Sequence, residues 1–312
     1  MADVQRPAVD WFESTFEEIK NWGRWGADDQ RGALNLLTPE RTAAAARLVQ
    51  DGVTVSCALP LDTHGSESNP TPAQHHMLIA GDLLDEAIMP GLEQTSDFVG
   101  IACHGMAVSH LDALCHIAVK GQLYNGVPIT EVRSSGARRL AVTEAADGIV
   151  GRGVLLDVPK IRGVDWLEPT DRVMPADLDA AEAQLGVSVQ PGDILLVSIG
   201  RSRRRRAGKK LALTAAAGLH ATCGPWLKEH DIAVLGTDGF GDAFGEDMVL
   251  PWPMPIHMFC IAGMGVHLLD SLDLAPLADA CAERGRYQFF LSVGPLRIPG
   301  GTGCAVNPIA VF

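Results

Sequence analysis

The stretch Cys103-His104-Gly105-Met106-Ala107-Val108-Ser109-His110-Leu111-Asp112-Ala113-Leu114-Cys115-His116 gathers three histidines and a carboxylate into a short apolar run. In an extended backbone, side chains two apart point to the same side, so His110 and Asp112 converge on one point if this run is a strand and diverge if it is a helix. His104, six positions earlier, returns to the same face if residues 105–109 are extended or gently looped. Two neutral imidazoles and one carboxylate make a ligand set suited to a borderline divalent ion such as zinc or manganese, with coordination positions left for water. His116 then stands where a general base for that water is needed. The plain alternative, a chance His-x-Asp in a chain with ten histidines, is open on spacing alone.

Around this run the chain alternates strand-like and helix-like segments. Val- and Ile-rich runs at Val53–Leu59, Val154–Val158, Ile194–Ile199, Ile232–Leu235 and Tyr287–Val293 are each bounded by Gly, Pro or Asp, as buried strands are. Helices are predicted from Thr38 as N-cap with Pro39 at the first position, stopping at Gly52, and over Ala176–Leu185 and Leu274–Arg284, with Gly186 and Gly285 as stops. The class is therefore mixed α and β. Glycine and proline are scattered and no repeat is present, which favours one compact domain, residues 51–312, with an N-terminal segment, residues 1–50, wrapping onto it.

A net charge of −13 from 25 basic and 38 acidic side chains argues against nucleic acid as a partner. The basic run Arg201–Lys210 reads as a solvated loop after the strand ending at Ile199, the sharper alternative being a phosphate patch. Seven cysteines without a C-x-x-C pair indicate a reduced, cytoplasmic chain. The first twenty residues lack an apolar stretch, and Met254–Leu269 is too short to span a bilayer and reads as a buried segment. No membrane association is expected.

The run Ser109-His110-Leu111-Asp112-Ala113-Leu114-Cys115-His116 resembles the T-H-x-D-A-x-x-H signature of the cyclase family of metal-dependent hydrolases, which includes bacterial kynurenine formamidase and isatin hydrolase. Trp25-Gly26-Ala27-Asp28-Asp29-Gln30-Arg31-Gly32-Ala33-Leu34-Asn35, Tyr124-Asn125-Gly126, Arg152–Asp157, Pro191-Gly192-Asp193, Pro255-Ile256-His257 and Gly300–Pro308 continue the likeness over residues 22–312. It implies an α/β swivelling β/β/α domain, a mixed sheet with flanking helices. It also implies one divalent metal ion, zinc or manganese, with a second ion in some members, a small aromatic amide or lactone as substrate, and a homodimer or homotetramer.

Carried over by residue, the resemblance makes His110 and Asp112 metal ligands and His116 the catalytic histidine. The first family histidine usually lies four residues before the central one, where this chain has Met106, so His104 on a longer loop is expected as the third ligand. His257 matches a downstream histidine of a second metal site or proton relay, with Asp270 where the family has glutamate. His76, Trp25 and Trp252 are candidate substrate contacts. Cys115 reads as a buried, inert thiol. Three functions compete: a metal-dependent hydrolase opening a C–N bond in an aryl formamide or cyclic amide, a lactone hydrolase with the same parts, and a non-catalytic metal or small-molecule binding protein.

Overall fold

Ile194–Val197 and Val154–Leu156 are fully buried on consecutive positions, as strands covered on both faces must be, and they lie side by side and parallel at the middle of a large mixed sheet. The computed structural model describes residues 8–82, 91–209, 215–245 and 249–312. The sheet has nine strands, which we number β1 (Thr54–Ser56), β2 (His110–Asp112), β3 (Ile149–Asp157), β4 (Ile194–Ser198), β5 (Val234–Thr237), β6 (His267–Asp270), β7 (Gln288–Val293), β8 (Gly303–Ala305) and β9 (Ile309–Val311). Their order is β1-β9-β7-β3-β4-β5-β6-β2-β8. The run β3-β4-β5-β6 is parallel, and every other pairing is antiparallel.

The described residues form eight α-helices besides the strands: α1 (Val9–Ile19), α2 (Pro39–Ala46), α3 (Val158–Arg162), α4 (Pro175–Leu185), α5 (Arg201–Arg206), α6 (Cys223–Glu229), α7 (Pro255–His257) and α8 (Ala275–Arg284). Thr38 caps α2, its hydroxyl accepting from the Arg41 amide at 3.4 Å. That helix ends at Ala46 and not at Gly52, because Arg47 closes it onto the carbonyls of Ala44 and Ala45. Gly52 (φ +71°) instead turns the chain into β1, its amide donating to Phe312 at 2.7 Å. Gly186 and Gly285, both in the left-handed conformation, stop α4 and α8 as their positions predict. Residues 254–269 are buried as expected, but as α7, a π-helical turn over Met258–Met264, and then β6.

The arginine run is helical and paired, not a solvated loop. In α5, Arg203 bonds Asp279 at 2.5 Å, Arg204 bonds Glu168 at 3.1 Å, Arg205 lies 3.8 Å from Asp62, and Arg206 bonds Asp273 at 2.5 Å. Four neighbouring like charges can share a helix when each has its own carboxylate, and such a face offers little to a phosphate. Lys210, the last residue of the run, lies outside the described residues. Among the described residues no helix is long and apolar enough to cross a membrane. The seven cysteines are free thiols, six of them buried.

Residues 21–33 are laced to the π-helical turn. The Asn21 side chain donates to the Met264 carbonyl at 2.9 Å, the Trp22 indole to Ala262 at 2.8 Å, and the Ala33 amide to Gly265 at 2.8 Å. Tyr124 and Asn125 pin the same segment from the other side: the tyrosine hydroxyl donates to Asp29 at 3.1 Å and the amide of Asn125 to the carbonyls of Gly26 and Ala27 at 3.0 Å. These contacts explain why two separate motifs of the sequence occur together.

Gly265 is a tight point of the lacing. It has φ +70°, and a Cβ there would lie 2.6 Å from the Tyr124 ring and 2.9 Å from the Gly32 backbone. Gly265→Ala is therefore expected to lower the unfolding free energy by about 2 kcal/mol or more through backbone strain and overpacking. A urea-denaturation midpoint equal to that of the parent protein would refute this account.

Candidate metal centre

Strand β2 supplies the centre because of its register. It lies between β6 and β8, with Asp270 opposite His110, and with Leu268 and Gly303 opposite Asp112 on either side. Side chains directly opposite in antiparallel strands share a face, so His110, Asp112 and Asp270 project together. Leu111, Leu269 and Cys304, one position out of phase, point to the other face and are buried there. The extended reading of His110-Leu111-Asp112 is the one the structure adopts.

Asp112 is the hub. Its Oδ1 lies 2.8 Å from His104 Nδ1, 3.5 Å from His110 Nε2 and 3.9 Å from His116 Nε2, and its Oδ2 lies 3.6 Å from His257 Nε2. The carboxylate is only 1% exposed, yet Oδ2 has no hydrogen-bond partner. An unpaired buried carboxylate oxygen costs several kcal/mol, a cost that a cation beside it removes. His110 donates from Nδ1 to the Val108 carbonyl at 2.8 Å, which leaves the lone pair of Nε2 facing Asp112. The donor atoms of His104, His110 and Asp112 lie within 4.8 Å of one another, and so do those of Asp112, His257 and Asp270. Chemically, these residues fit a divalent cation, with Asp112 common to both groups.

His257 is held from two sides. Its Nδ1 lies 2.6 Å from Asp242 Oδ2 and its Nε2 lies 3.2 Å from Asp270 Oδ2. Asp242 also accepts from the amides of Ile256 (2.6 Å) and His257 (3.0 Å), fixing the first turn of α7. This is the carboxylate–imidazole support that orients a ligating histidine. The shorter side chain of Asp270 still reaches the imidazole, because β6 sets it directly beside β2.

The electrostatics follow from these contacts. Burial works against the Asp112 carboxylate, but the hydrogen bond with His104 and the imidazoles of His110, His116 and His257 outweigh it and hold its pKa well below the usual range. For His104 burial again opposes the charge, and the bond to Asp112 prevails, raising its pKa to about 10. His116 moves the other way. Burial pushes it down to about 4, against the attraction of Asp112 and with repulsion from His104 and His257. His257 is raised well above its ordinary value despite its burial, since Asp270 and Asp242 flank it.

His104 is bound at both ring nitrogens, Nδ1 by Asp112 and Nε2 by the Thr302 hydroxyl at 2.9 Å. Its ring stacks on His116 with centroids 3.8 Å apart and planes within 2°. Both rings keep about a quarter of their surface exposed, and so mark the open side of the centre. The remaining candidates lie elsewhere. His76 sits on an exposed two-stranded ribbon (Gln74–Ile79 with Ser96–Gly100), stacked on Phe98. Trp252 is 2% exposed and packs as a core anchor against Phe12, Phe16 and Phe259 beneath α1. Trp25 is half-buried under the Arg24 guanidinium. Burial pushes the Cys115 thiol up to about 11, consistent with an inert side chain.

Two members of the centre carry no sequence signal of their own. Thr302 sits in the glycine-rich Gly300–Gly303 turn, which reads as a loop. Asp242 lies three residues after the Gly236-Thr237-Asp238-Gly239 turn at the end of β5.

The chain matches the family model described as "Putative cyclase" over residues 39–241. A crystal structure described as a novel cyclase is 35% identical, covers 94% of this chain and 99% of its own, and superposes with a TM-score of 0.85. Isatin hydrolase A from Labrenzia aggregata, bound to benzyl benzoate, is 19% identical over 86% of this chain and 96% of its own (TM-score 0.60). A "predicted metal-dependent hydrolase" from Bacillus stearothermophilus is 14% identical over 84% and 98% (TM-score 0.51). No curated protein matches. With the signature on β2, the nine-stranded mixed sheet and a family match spanning more than half of its length, this chain belongs to the cyclase family.

Proposed function

We propose that this protein is a metal-dependent hydrolase that opens a C–N bond in an aryl formamide or cyclic amide. The observation that supports this reading most is the buried, unpaired Oδ2 of Asp112 between two groups of candidate ligands. Solved proteins of the same fold include an isatin hydrolase, in keeping with a cyclic amide as substrate. His110 and Asp112 would hold the ion, with His104 as third ligand once its proton and its bond to Thr302 are released. His257 and Asp270 would hold a second ion, or pass a proton, on the far side of Asp112.

A divalent ion so held supplies Lewis acidity and lowers the pKa of a water towards about 7. The rest falls to side chains. Asp112 and His110, fixed by their strand and by the Val108 carbonyl, keep the nucleophile and the substrate carbonyl in one place. His116, held neutral by its burial, takes the proton from the attacking water and returns it to the leaving nitrogen. Its stacking on His104 fixes the plane of the ring on the open side.

Asp112→Ala is expected to abolish metal retention measured by elemental analysis. His116→Ala should keep the ion and lose on the order of 10²- to 10⁴-fold in kcat. Equal loss of metal in both variants would make His116 a ligand and remove the base from this scheme. Across N-formylkynurenine, isatin and simple lactones, turnover is expected for the amides; turnover of lactones alone would substitute the ester chemistry, and bound metal with no turnover at all would leave a binding protein.

The protonation sign gives a further check. A base with its pKa lowered to about 4 stays competent as pH falls through the ordinary histidine range and is lost only below it. The acid limb of kcat should therefore lie below about pH 5, whereas a limb near the ordinary imidazole value of about 6.5 would contradict the assigned environment of His116.

A further inference from the structure

Arg201 differs from the other arginines of its helix. Arg203 to Arg206 each face a carboxylate, but among the described residues the Arg201 guanidinium donates to neutral oxygens: Nη1 to Ser271 Oγ at 3.3 Å and Nη2 to the Met106 carbonyl at 3.0 Å. Asp238, the nearest acid to its backbone, is spent on amides and accepts from Ile199 at 2.7 Å and from Arg201 at 3.0 Å. Arg201 is half-buried, and burial lowers its pKa from the usual arginine value against the attraction of Asp238 and Asp270, neither of which bonds its guanidinium. A guanidinium has five donors in a planar fork, and two bonds to neutral oxygens leave donors to spare.

The guanidinium lines a cavity of about 40 Å³, whose other walls include Met106, Leu167, Ile199, Ala217 and Phe240. The arginine lies over the Phe240 ring at 5.2 Å. By the space one water needs, this volume holds about three waters or one carboxylate-sized substituent, and not a whole ring. Its lining residues and the partners of Arg201 lead to the metal centre. Met106 is two residues from His104, Ser271 follows Asp270, and Gly241, next to Phe240, has its Cβ direction 3.7 Å from the His257 ring and 3.8 Å from Asp270.

We propose that Arg201 and this cavity form an anion subsite, so that the substrate carries a carboxylate or similar anionic group beside the bond to be broken. The proposal rests on the hydrolase reading and narrows it to anionic aryl amides. A carboxylate here supplies a directly bonded counter-charge that Asp238 and Asp270 do not, while the largely apolar walls strengthen the pairing. A neutral substituent of the same size would leave the guanidinium desolvated and unpaired, so the site discriminates by charge and not by shape alone.

Two measurements test this. In calorimetric titrations of the metal-loaded protein, benzenesulfonate, a weak metal ligand, is expected to bind at least about tenfold more tightly than the neutral methyl phenyl sulfone, a preference that Arg201→Met removes and Arg201→Lys only reduces. Equal affinity for both probes, or a preference that survives in Arg201→Met, would overturn the subsite; this readout needs no turnover and stands apart from the hydrolase reading. In turnover assays, the ratio of kcat/KM for N-formylanthranilate over formanilide should fall at least about tenfold in Arg201→Met and partly recover in Arg201→Lys. An unchanged ratio with both rates lowered would make Arg201 a clamp on the loop around Met106 and end the proposal.

Discussion

A carboxylate with almost no access to water governs this centre. Asp112 cannot shed its charge cheaply, because four imidazoles surround it, and cannot be hydrated, because β6 and β8 close on both sides. Every neighbouring group is set by that constraint. His104 is drawn into a charged hydrogen bond, His257 is pulled towards the protonated form between Asp242 and Asp270, and His116, farthest of the four at 3.9 Å, is left neutral. Three chemically identical side chains thus take different protonation behaviour from their differing burial and carboxylate neighbours. A cation at Asp112 would replace the protons that now balance it.

The face on which this happens was readable from a two-residue spacing. His110 and Asp112 converge only in an extended chain, and the apolar Leu111 between them requires a core on the opposite side, which Leu269 and Cys304 complete. The helix stops at Gly186 and Gly285 and the buried runs of β3 and β4 were legible for the same reason, since they depend on local conformation and local pattern. What failed was whatever depended on distant partners. The end of α2 is set by its own carbonyls while Gly52 answers to Phe312. The arginine run looks like a solvated loop until Asp279, Glu168 and Asp273 arrive from other parts of the chain.

Thr302 and Asp242 show the same limit within the site. Each is an ordinary polar residue in a turn, and each acquires a role only because a strand register carries it to an imidazole. Trp252 errs in the opposite direction: aromatic residues are equally good at lining pockets and filling cores, and only the rings of Phe12, Phe16 and Phe259 around it decide between the two. His76 belongs to a two-stranded ribbon outside the nine-stranded sheet and stacks on Phe98.

The position of β2 between β6 and β8 has a consequence for how the molecule comes into being. Its partners are separated from it by more than 150 residues of chain on both strands, so His110 and Asp112 meet neither Asp270 nor Thr302 until nearly all of the sequence has left the ribosome. During synthesis the charged strand must wait without a sheet around it, and the centre is among the last parts to assemble. Until then the acid and its three nearby histidines stand without His257, Asp270 and the supporting Asp242 and Thr302.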